Sequence, residues 1–123
     1  MTQHKLTADQ VRRIEEIEEF QRTADYLKRL VTELESNRAG HARVLQQLSD
    51  KIVKEASQMR QRALTANIGT IADVAGTMSV MAGRGGGIHM KIRALSDAVG
   101  SLHMQLDAAL KHAMMPPEPK KPS

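Results

Sequence analysis

No cysteine occurs anywhere in the chain. Disulfide frameworks and thiolate chemistry are therefore excluded. Aromatic residues are nearly absent as well: one tyrosine (Tyr26), one phenylalanine (Phe20) and no tryptophan. Small-molecule pockets draw heavily on aromatic side chains, and single-stranded nucleic acid stacks on them. A chain without them must bury Leu, Ile, Val, Met and Ala, which suits helix packed on helix. Strand formers are few and never alternate over a useful length, so the expected fold class is all-α.

Long hydrophobic runs are also missing. The first ten residues, MTQHKLTADQ, contain no apolar stretch, so no signal sequence is expected there and a cytoplasmic setting is. The most apolar window, 64–82, still contains Asn67 and the mid-window Asp73. A buried helix is expected there in preference to a membrane-associated hairpin.

At 123 residues, one helical domain over 1–115 is expected, followed by a disordered tail, PPEPKKPS, over 116–123. The net charge is +4, unevenly spread. Residues 1–36 carry six Lys/Arg against eight Asp/Glu, residues 37–63 six against two, and residues 64–123 six against four. The basic excess lies in Arg38, Arg43, Lys51, Lys54, Arg60 and Arg62.

Thr7 begins a capping-box pattern, T-A-D-Q, with Gln10 three residues on. The spacing of Val11, Ile14, Ile17, Phe20, Ala24, Leu27, Val31 and Leu34 predicts an amphipathic helix over about 8–36. A turn is expected at 36–41, although the heptad phase runs through it. A second helix is expected from about 41 to 82, roughly 60 Å long at 1.5 Å per residue. A break at Gly83-Arg84-Gly85-Gly86-Gly87 follows, as the loop of a hairpin. Ile88, Ile92, Leu95, Val99, Leu102 and Leu106 then predict a third helix over about 88–114. The whole reads as an elongated antiparallel bundle or coiled-coil hairpin of three helices, completed by self-association.

Within 64–87 small residues recur at Gly69, Ala72, Gly76 and Ser79, steps of three and four on one helix face. Glycine inside a helix costs about 1 kcal/mol relative to alanine. The expected reason is close packing against the small residues Ala94, Ala98, Ser101 and Ala108 of the last helix. Bulk at Gly69 or Gly76 should then destabilise, and Asn67, off the stripe, should accept alanine.

Chemistry-bearing constellations are weak. GRGGG before a helix resembles an anion cradle, but no preceding strand or Gly-Lys-Ser/Thr accompanies it, so a plain loop is expected. Five histidines occur, at 4, 41, 89, 103 and 112, without Glu-x-x-His or His-x-x-x-His spacing. No metal, cofactor or catalytic residue is expected. Glu15, Glu16, Glu18 and Glu19 read as a solvated face. Met90, His103 and Met104 stand outside the main apolar stripe of the last helix and are candidates for a partner surface, because methionine suits adaptable contacts. Arg43, Lys51, Lys54, Arg60 and Arg62 are candidates for an anionic partner.

These features point to a non-catalytic, coiled-coil-type interaction subunit, an assembly, adaptor or chaperone-like protein. It is expected to work as a homo-oligomer, most simply a dimer, or with another helical protein. The alternatives are a basic helical nucleic-acid-binding accessory protein, with weak binding, and a membrane-associated hairpin using 64–82.

Overall fold

A computed structural model describes residues 5–116. The chain forms four helices: α1 (Ala8–Ser36), α2 (Ala42–Thr65), α3 (Gly69–Gly83) and α4 (Ile88–Met114). Each helix packs on the next, and α4 returns to pack on α1, so the four close into a ring. Short connections make every neighbouring pair antiparallel, an up-down-up-down bundle.

The start of α1 follows its sequence signal. Thr7 Oγ1 accepts from the Gln10 amide at 3.1 Å, and the Thr7 amide donates to Gln10 Oε1 at 2.9 Å. Two amides with no partner inside the helix are thereby satisfied. At the other end, the Asn37 side chain donates to the Glu33 carbonyl at 2.8 Å. The chain then turns so tightly that a Cβ on Gly40 would lie 3.0 Å from the Asn37 carbonyl oxygen.

The expected long helix over 41–82 is not one helix. It ends at Thr65 and folds back, giving four helices where three were expected. Asn67 adopts φ +63°, the left-handed conformation that commonly ends helices. The Asn67 amide bonds the Leu64 carbonyl at 3.1 Å, and the Ile68 amide bonds the Ala63 carbonyl at 2.8 Å. That is the Schellman pairing, and Ile68 and Ala63, its apolar partners, are both buried. Arg13 of α1 adds a bond from its guanidinium to the Ala66 carbonyl at 2.6 Å. A cation at a helix C-terminus favours the stop electrostatically as well.

The core draws on one stripe per helix: Ile17, Leu27 and Leu34 from α1, Ile52 and Met59 from α2, Ile71 and Met78 from α3, and Leu95, Leu102 and Leu106 from α4. The fold-back matters to this closure. Buried positions on α2 stop at Ala63 and resume at Ile68, a step of five that no single helix face accommodates. Folding back lets α3 cover the stripes of α2 and α4 from within the same chain. Of the expected tail, 117–123 lies outside the described residues, as does His4.

Candidate interaction surface

The small-residue stripe of α3 does not lie where its spacing suggested. Gly76 and Ser79 face α2, not α4. The Ser79 and Ser57 hydroxyls are hydrogen-bonded at 2.7 Å, and a Cβ on Gly76 would meet Arg60 Cδ at 3.1 Å. Ala72 is buried, but Gly69 opens α3 at an exposed position where a Cβ would meet nothing within 4 Å. The close approach is thus to the aliphatic stem of one arginine, not to a second backbone. The small residues of α4 pack differently again: Ala94, Ala98 and Ser101 border a groove with Val74, Thr77 and Met81 of α3.

Gly83 ends α3 and Gly87 precedes α4, with Arg84, Gly85 and Gly86 between them. Gly86 has φ +125°, a conformation open to glycine and strained for other residues. Arg84 reaches an open groove between α2 and α3 that also includes Arg60, Ser57 and Ser79.

Of the three candidates on α4, two are the most exposed large apolar residues of the bundle. Met90 is 80% and Met104 73% exposed. They lie on the stripe opposite the buried one: Met90, Arg93, Asp97, Gly100, Met104 and Asp107, all exposed. His103 sits beside this stripe, turned towards α1, with Nε2 buried, 3.6 Å from Asp25 Oδ1 and without a hydrogen bond. With Ser96, Val99 and Gly100 it lines a groove of about 390 Å³ against α1, where Val31 supplies apolar wall.

Gly100 escaped the sequence reading. It lies in the middle of α4, exposed, with nothing within 4 Å of a built Cβ. Its cost of about 1 kcal/mol relative to alanine is not offset by anything in its own chain. The available signal was its position midway between Arg93 and Asp107, four residues before Met104.

His41 stands at the N-cap of α2, exposed and without a side-chain hydrogen bond. The five basic candidates, Arg43, Lys51, Lys54, Arg60 and Arg62, are all on α2 and all exposed. None pairs with a carboxylate. Among the described residues the one Lys/Arg ion pair is Arg13–Glu16, at 2.7 Å. Among the described residues no direct ion pair joins these cations to the acidic face of α1, although Arg62 shares a groove with Glu16 and Glu19. Among the described residues no group of three or more His, Asp or Glu is placed to hold a metal ion. No helix of the described residues is long and apolar enough to cross a membrane. The 64–82 window, broken at Asn67, offers no continuous span.

Comparisons with models of protein families, with curated proteins and with solved structures find no match to this chain.

Proposed function

We propose that the chain is a non-catalytic helical interaction subunit, of assembly, adaptor or chaperone-like kind, working as a homo-oligomer in a cytoplasmic setting. The observation that carries this is the outer face of α4. A bundle that encloses its other large stripes leaves Met90 and Met104 almost wholly in solvent, on either side of an unencumbered glycine. Isolated exposed apolar residues are ordinary. Two flexible methionines on one stripe, with a mid-helix glycine between them, suit a helix of another molecule. The apolar stripe of 17–59 is covered by the bundle itself and lends the reading no support. Sedimentation velocity on the unmodified chain at micromolar concentration tests the reading. A species of at least two chains is expected, and a single-chain species with full helical circular dichroism contradicts it.

A second reading rests on a separate observation: five exposed cationic side chains on α2 without carboxylate partners. In that reading the protein is an accessory that binds nucleic acid weakly through phosphates. Phosphate contacts release counterions, so affinity must fall steeply with salt. Filter binding with a random duplex should lose retention between 50 and 200 mM salt, by roughly an order of magnitude or more for a few contacts. Replacing Arg43, Lys51, Lys54, Arg60 and Arg62 by Gln should abolish it. Tight retention at high salt would contradict this reading.

A further inference from the structure

We propose that a second copy of this chain docks antiparallel along the outer face of α4, with Gly100 on the two-fold axis. The inference rests on the homo-oligomer reading above and adds the face, the register and the contacts. A two-fold interface must be self-complementary, each residue meeting its partner twice. The stripe meets that condition about Gly100. With Gly100 opposite itself, Arg93 falls opposite Asp107 of the second copy, so two cation–anion pairs form across the axis. Neither Arg93 nor Asp107 has an ion-pair partner in its own chain among the described residues; Asp107 Oδ1 accepts an exposed hydrogen bond from Gln21 of α1 at 3.3 Å, which leaves its charge unpaired.

The apolar residues follow the same register. Met104 falls opposite Ser96 of the second copy, at the edge of the groove that Val31, Val99 and Gly100 line between α1 and α4. A long unbranched thioether fits such a groove. Met90 falls opposite Leu110, which is half-buried, near the exposed Met114. The axis itself carries no side chain and no obstruction: a Cβ at Gly100 would meet nothing within 4 Å. Two helices can therefore approach there more closely than at any other point of the stripe. The α2 face has no such symmetry, because its cations have few acids among them to meet.

The absence of cysteine makes the register directly measurable. A Gly100→Cys variant places one thiol per chain, in open space. Disulfides form when the Cα atoms lie within about 7 Å, so a pair on a tight axis can join. Under mild oxidation this variant should give a covalent dimer with unchanged helical circular dichroism, and Lys51→Cys on α2 should form no covalent dimer. A Gly100→Cys yield no higher than that of Lys51→Cys, with the unmodified chain still twice the chain mass, would overturn this face and leave self-association standing. An unmodified chain of single mass would overturn both. Charge exchange checks the register further. Arg93→Asp should weaken dimerisation by about tenfold through two like-charge contacts. Adding Asp107→Arg should restore it, and failure of that rescue would contradict the pairing about Gly100.

Discussion

Gly76 and Gly100 occupy equivalent positions, each in the middle of a helix, and their surroundings differ completely. Gly76 has its reason within the chain. Arg60 lays its stem across it, with Cδ only 3.1 Å from where a Cβ would stand, beside the Ser57–Ser79 hydrogen bond that ties α2 to α3. At Gly100 a Cβ would meet nothing within 4 Å. The seam between α2 and α3 is complete in one chain, whereas the outer face of α4 carries a glycine, two bare methionines and two charges, Arg93 and Asp107, without an ion-pair partner among the described residues. A helix-destabilising residue with a packing partner records the fold; one without a partner directs attention to something outside it.

The contrast is most severely tested by truncating one methionine from each region. Met78 on α3 is fully buried, 0% exposed. Met78→Ala should cost about 2–5 kcal/mol, because it removes buried methylenes and leaves a cavity. Met104→Ala should change the stability of the single chain by no more than about 0.5 kcal/mol. Chemical denaturation of both at low concentration measures the difference. Equal losses would mean that Met104 is packed within its own chain.

Next in size is the turn that creates the seam. Asn67→Ala forces a Cβ residue without a short polar side chain into the left-handed region, at about 1–2 kcal/mol. Asn67→Gly should keep stability within a few tenths of a kcal/mol, since glycine enters that region freely. This reverses the tolerance of alanine expected from the stripe alone. A thermal melt in which Asn67→Ala matches the parent would remove the fold-back.

The smallest effect separates the two glycines themselves. In a Met90→Lys, Met104→Lys background, Gly100→Ala should stabilise by about 1 kcal/mol, the full helix-propensity difference. Gly76→Ala gains the same propensity but displaces Arg60, so its net change should be near zero. Combining it with Arg60→Ala should recover the gain, a coupling that a double-mutant cycle reads directly. Additive behaviour would show that Arg60 does not occupy the space above Gly76.

Much of this architecture was legible in the chain. The capping box at Thr7 and Gln10, the glycine loop at 83–87 and the apolar stripes of α1 and α4 each follow from short-range chemistry, and all recur in the structure. The division of the second helix did not emerge. Asn67 is a weaker stop signal than glycine, and neither proline nor a glycine run marks the place. Its effect depends on Ile68 finding Ala63 and on Arg13 reaching the Ala66 carbonyl, the latter a contact from fifty-three residues away. Missing that turn also misdirected the small stripe. In one long helix Gly76 would never meet Arg60, so a distant partner on α4 was inferred for it. The exposure of Met90 and Met104 was legible because departure from periodicity is itself local. Gly100 was not, because spacing alone does not reveal whether a glycine is covered.

The central question is whether the outer face of α4 is an interface. Light scattering of the parent and of the Met90→Lys, Met104→Lys double variant, at the same micromolar concentration, tests this most directly. The parent should have twice the mass of one chain and the variant the mass of one chain, with identical helical circular dichroism. A single-chain mass for the parent, or a double mass retained by the variant, would contradict it.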